Sequence, residues 1–209
     1  MHFDRMMIPA MVLAMAAGMA MATSGLWAAW AQDPAHDADP WRVTQVDGEA
    51  WLRNRGSAAR PAHKGDRLAA GGIVITGDGG LVRLFCGDTK MTVLPDSRTE
   101  IPLDDDHRGP TTVVHRLGNL LVQVGQPSGP AAEQPESTVF RVETPFLTAS
   151  VKGTLFILRV EADAASLHVA VGTVEIRSIA SGEVALLRAG QSASVSDGGD
   201  GRLRVTGAP

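Results

Sequence analysis

From Trp41 onward, apolar residues tend to recur at every second position, and no window keeps them at i, i+3, i+4 and i+7 through three helical turns. In "TVEIRSI" polar and apolar residues alternate, as they do along a strand with one buried face, and "LVRLFC" is a short, mostly apolar run bounded by turn residues. In "SLHVAV" the residues Leu167, Val169 and Val171 share one face, which predicts that His168 points to the other. The remaining candidate strands are "WRVTQV", "EAWLR", "GIVIT", "MTVLP", "TTVVHRL", "NLLVQV", "TVFRVET", "FLTASV", "TLFILRV", "EVALLRA" and "LRVT". Asp47-Gly48, Gly71-Gly72, Gly77-Asp78-Gly79-Gly80 and Gly87-Asp88 supply tight turns between them. The expected fold is all-β over residues 41–206, with many short strands in a sandwich, barrel or irregular solenoid.

A faint echo runs through the second half. Gly153-Thr154-Leu155-Phe156-Ile157 resembles Gly172-Thr173-Val174-Glu175-Ile176, and Gly118-Asn119-Leu120-Leu121-Val122 follows more loosely. The spacings are unequal, 35 and then 19 residues, so this is no fixed-period repeat; a turn glycine followed by a strand is what recurs. "VKGT", Val151 to Thr154, invites a second reading as a phosphate-binding turn. A phosphate cradle needs backbone amides converging on a helix N-terminus, and no helix is predicted here. The same argument makes "AHKGDRL" a turn.

The N-terminus breaks the pattern. After Arg5 the chain is uncharged until Asp33, and Ala29 and Ala31 form an A-x-A signal before Gln32. Residues 1–31 are expected to be an export signal cleaved after Ala31, and residues 32–40 a flexible tether. Left uncleaved, the apolar run is long enough to span a bilayer, for which roughly 20 residues suffice. Residues 126–138, "QPSGPAAEQPEST", read as a long surface loop. "LDDDHRGP" sets Asp104, Asp105, Asp106 and His107 in a row, which in extended chain splits the side chains between two faces; a solvated turn is expected rather than a metal site.

Composition narrows the function. The chain is 44% hydrophobic and 20% charged, enough apolar residue for a core, and its net charge of −4 gives no case for nucleic acid as a partner. The lone Cys86 cannot make an intrachain disulfide and is expected to pack as a small apolar residue. No zinc spacing, nucleophile elbow, P-loop or dinucleotide fingerprint is present, so no catalytic, cofactor or metal residue is assigned.

The ordered series "KGDRL", "GGIVITGDGGLVRL", "DTKMTVLPDSRTEI", "RLGNLLVQV", "FRVETP", "VKGTLFIL", "VAVGTVEI" and "LRAGQSASV" resembles the FecR domain, from about Val43 to about Val195. The resemblance implies an all-β extracytoplasmic domain in an irregular solenoid or sandwich-like FecR fold. The best-known members of that family join a sigma-factor-holding cytoplasmic segment, a transmembrane helix and a periplasmic signal-receiving domain. Here four residues precede Arg5, so the expectation is a stand-alone exported domain. The family's usual V-R-G-T stands here as V-K-G-T, and Lys152 lacks the planar fork of Arg.

The function expected is a non-enzymatic periplasmic protein-interaction or signal-sensing module of the cell envelope. Its partner is expected to be another envelope protein, with no nucleic acid and with the membrane only through an uncleaved N-terminus. Lys152, Gly153 and Thr154 are the candidate partner contacts, with a strand edge after Gly153 as a docking route. The alternative is a glycan or peptidoglycan binder, for which only Trp41 and Trp51 remain as aromatic platforms after the signal.

Overall fold

The structure is a computed structural model that describes residues 41–103, 111–125 and 140–207. The predicted signal, tether, acidic turn and long loop fall outside the described residues. Seventeen strands and no helix are present among those described. In chain order the first eight are β1 (Trp41–Asp47), β2 (Ala50–Arg53), β3 (Arg60–Pro61), β4 (Arg67–Leu68), β5 (Ile73–Thr76), β6 (Leu81–Cys86), β7 (Thr89–Val93) and β8 (Arg98–Glu100). A long strand follows, β9 (Thr111–Val124), and then β10 (Phe140–Glu143), β11 (Leu147–Val151), β12 (Leu155–Val160) and β13 (Ala164–Val171). The last four are β14 (Thr173–Ser178), β15 (Val184–Arg188), β16 (Ser192–Ser196) and β17 (Arg204–Thr206).

Their pairings define two sheets that share one strand. The first sheet runs β4-β1-β6-β7-β9-β12-β13-β16-β17, and the second runs β3-β2-β5-β8-β9-β10-β11-β14-β15. The N-terminal half of β9 belongs to the second sheet and its C-terminal half to the first. All these pairings are antiparallel except β9 with β10, where Phe140 lies opposite Thr111. The all-β expectation holds, in the sandwich-like form.

Alternation supplies the core. In β6, Val82 and Leu84 are buried while Arg83 and Phe85 face out; in β14, Val174 and Ile176 are buried while Glu175 and Arg177 are exposed. Side chains from both sheets meet in one apolar cluster. Across it the rings of Trp41 in the first sheet and Phe140 in the second pack edge to face, with centroids 6.2 Å apart. Burying a side chain of this class contributes about 1.5–3 kcal/mol, so the cluster rather than any single polar contact holds the sheets together.

The echo at Gly118, Gly153 and Gly172 now has a structural meaning: at each of these the chain passes from one sheet to the other. "TTVVHRL" and "NLLVQV", expected as two strands, are one. Gly118, with φ +90°, bends β9 between sheets instead of reversing it. A register shift opposite Arg98 and Thr99 lies just before this bend, adding to the local twist. A Cβ at residue 118 would lie 2.6 Å from the Asp96 carbonyl oxygen, because the β7–β8 connection crosses directly over the bend.

Candidate functional site

The V-K-G-T segment is a corner between sheets. β11 ends at Val151 in the second sheet and β12 begins at Leu155 in the first, so residues 152–154 carry the chain across. Gly153 has φ +66°. Against it sits the next corner, at Gly172, where φ is +85° and an added Cβ would stand 2.7 Å from the Gly153 carbonyl oxygen. Thr154 is buried, and its carbonyl accepts from the Val124 N–H at 2.8 Å. Its Oγ1 has no hydrogen-bond partner. Of the three candidate contacts, Thr154 therefore turns its side chain inward, while Lys152 and Gly153 are half-exposed.

The strand edge expected after Gly153 does not exist. β12 is paired on both sides, with β9 and with β13, because the glycine delivers it into the middle of the first sheet. Among the described strands the sheets end instead at β4, β17, β3 and β15.

Titratable groups are scattered. Among the described residues no three His, Cys, Asp or Glu side chains converge on a point that would hold a metal ion. His168 is exposed, as alternation predicts, and its Nδ1 shares a 2.8 Å hydrogen bond with Ser192 Oγ. Val171, assigned to the buried face, is exposed, because the register shifts between Leu155 and Phe156 and turns the end of β13 over. Cys86, expected inside, is only half-buried at the end of β6, packed against the core margin.

"AHKGDRL" is a turn held by Asp66. Its carboxylate accepts from both terminal nitrogens of Arg60, at 2.8 and 2.9 Å, and from the His63 N–H at 2.8 Å. The Arg60 hydrogen bonds hold the Asp66 carboxyl below the usual carboxylate range.

One buried titratable group escaped the sequence reading. His115 has no exposed surface, and its Nδ1 lies 2.9 Å from Thr99 Oγ1, while Nε2 has no partner. Burial pushes the imidazole down to about 4, opposed by the backbone at Gly118, so the ring is neutral near pH 7. The signal was present in "TTVVHRL", where alternation puts His115 on the face of buried Val113.

The outer face of the first sheet carries an apolar groove of about 350 Å³ across β6, β7, β9 and β12. Phe85, Leu121 and Leu155 line it, with Arg83 and Lys90 among them. The register sets this up: Phe85 pairs with Lys90, Arg83 with Thr92, Thr92 with Leu121, and Leu121 with Ile157. These positions alternate with the buried ones, so solvent-facing sites here carry apolar side chains; Phe85 is 39% exposed and Ile157 37%.

Comparison with known proteins places this two-sheet fold in a class. Residues 73–175, from the start of β5 into β14, match the family described as FecR protein. Residues 73–175 thus match a FecR domain, and the strands outside the match, β1–β4 and β15–β17, extend the same two sheets. A candidate anti-sigma factor from Parabacteroides distasonis, known from crystal structures at 1.65 and 2.50 Å, has a similar fold, with a TM-score of 0.53 and 17% sequence identity. The similarity covers 65% of this chain and 59% of that one, so this chain matches less than two thirds of the relative's length. No curated protein matches the chain.

Proposed function

We propose that the protein is a non-enzymatic, exported module of the cell envelope that receives a signal or docks a partner protein. The observation that carries this reading is the match to a FecR domain over residues 73–175. The structural relative, described as a candidate anti-sigma factor, favours a regulatory role over a metabolic one. The uncharged N-terminal run and its A-x-A pattern favour a periplasmic site, with cleavage after Ala31. The glycan-binding alternative loses half of its aromatic platform, because Trp41 is buried against Phe140.

The test is in two parts. Fractionation of expressing cells, with the intact mass of the recovered protein, is expected to find a periplasmic species beginning at Gln32; a full-length cytoplasmic product overturns the localisation. Crosslinking in living cells is then expected to join the protein to a specific envelope protein. Sedimentation with purified cell walls in place of any protein crosslink would favour the glycan reading.

A further inference from the structure

We propose that the groove on the outer face of the first sheet is the docking surface, and that it takes an acidic polypeptide segment bearing apolar side chains. This rests on the interaction reading above and adds the place and the chemistry of the partner. The apolar side of the argument is positional. Phe85, Leu121, Leu155 and Ile157 occupy outward positions on β6, β9 and β12, where the inward neighbours Leu84, Val122 and Phe156 already fill the core. Folding does not need these four in the interior; Phe85, Leu121 and Leu155 line the groove together, and Ile157 adjoins it through its pairing with Leu121.

The charge around that patch selects the partner. Arg42 lies opposite Phe85 on β1, and Arg83 and Lys90 stand on the neighbouring strands. Ion pairs among the described residues join Arg60 to Asp66, Arg116 to Glu100, Arg159 to Glu161 and Arg202 to Asp200, and none of them involves Arg42, Arg83 or Lys90. Arg83 instead donates to the neutral Gln45 Oε1 at 2.8 Å. Among the described residues, Arg83 and Lys90 at the groove and Arg42 beside Phe85 therefore stand outside any ion pair, open to carboxylates from a partner. Carboxylates on a partner would complete them, giving register and rate of association, while its apolar side chains fill the groove. A planar anionic membrane fits less well, because Leu121 and Leu155 are half-buried in a concave surface that a flat bilayer does not enter.

The purified protein, labelled at its Ile, Leu and Val methyl groups, is titrated with three probes. These are a synthetic peptide of alternating Glu and Leu, a Lys-Leu peptide of equal length, and phosphatidylglycerol vesicles. The Glu-Leu peptide is expected to shift the methyl signals of Leu121, Leu155 and Ile157 and to bind at least tenfold more tightly than the Lys-Leu peptide. Arg83→Glu combined with Lys90→Glu is expected to weaken the Glu-Leu peptide at least tenfold without lowering the melting temperature. Should that pair unfold the protein, Lys90→Gln alone is expected to weaken it severalfold. Equal binding of the two peptides, shifts confined to other surfaces, or binding to vesicles alone overturns the proposal.

A photo-crosslinking residue in cells, placed at Gln123 beside the groove or at Leu186 on β15, separates this from the broader reading. Capture of an acidic partner peptide from position 123 supports the groove. Capture from 186 alone sinks the groove and leaves an interaction module, and capture from neither removes both.

Discussion

The carbonyl of Gly153 fills the space where a Cβ on residue 172 would stand, 2.7 Å away, so two successive sheet-crossing corners are packed backbone to backbone. Two glycines with nearly the same dihedral angle separate the effects of space and strain. Gly172 has φ +85° and a blocked Cβ position; Gly190 has φ +84° and open space. Gly190→Ala is expected to cost about 1–2 kcal/mol from the left-handed backbone alone. Gly172→Ala is expected to cost at least about 3 kcal/mol, because strain of about 1–3 kcal/mol is joined by displacement of a packed carbonyl. Urea denaturation of both variants measures the difference, and equal losses would show that the corners are not in contact.

His115 gives a pH dependence whose sign is fixed by burial. In the unfolded chain it titrates near its ordinary value of about 6.5. In the folded protein it stays neutral down to about 4. Between those values the unfolded state binds a proton that the folded state does not, so stability falls as the pH drops through this window. The full loss is about 3 kcal/mol. His115→Gln is expected to flatten the wild-type slope between about pH 6.5 and 4, the pH range set by those two values. Asp66 acts in a different range. Its lowered carboxyl contributes stability at neutral pH that is lost only as the pH falls through and below the ordinary carboxylate range.

Two threonines of similar burial are expected to respond in opposite directions to the same substitution. Thr99 Oγ1 bonds to His115, so Thr99→Val leaves the ring nitrogen unpartnered in the core and should cost about 1–3 kcal/mol. Thr154 Oγ1 has no partner, and Thr154→Val removes a buried polar atom without changing shape, so its effect should be neutral or stabilising by up to about 1 kcal/mol. Thermal melts of the two variants decide it. Destabilisation by Thr154→Val would mean that this hydroxyl has a role the corner geometry does not reveal.

The Trp41–Phe140 contact ties the first strand of one sheet to the second half of the chain. Phe140→Ala opens a fully buried site between the sheets and is expected to cost about 3–5 kcal/mol, as large aromatic truncations in cores do. Trp41 fluorescence should shift to the red in the variant if the ring becomes wetted.

Much of this architecture can be read from alternation. "LVRLFC" and "TVEIRSI" sort their side chains to core and solvent as the period of two requires, because each strand has one buried face. Strands without such a signature were missed. β3 and β4 have two residues each, β8 has three with one buried, and β16 fills its inward positions with only Ala193 and Val195 among serines. Gly118 misled for a different reason. A glycine at positive φ marks a break in local conformation, but whether the chain then reverses or continues into another sheet is decided by distant partners, here Asp96 and Ser97 above it. The same dependence on distant pairing hid the groove: Phe85, Leu121 and Leu155 lie far apart in sequence and become neighbours only through the registers of β6, β7, β9 and β12.

β9 also sets an order of events in time. Every hydrogen-bonded pairing between strands β1–β8 and strands β10–β17 passes through it. A chain made N-terminus first therefore completes β9 against β7 and β8 while its other edge, half in each sheet, waits for β10 and β12. During that interval the growing molecule presents a long unpaired template, the kind of edge that captures neighbouring chains. A fragment ending at Gly125 freezes the molecule at this stage, and it is expected to self-associate more readily than the full chain in light-scattering measurements at matched concentration.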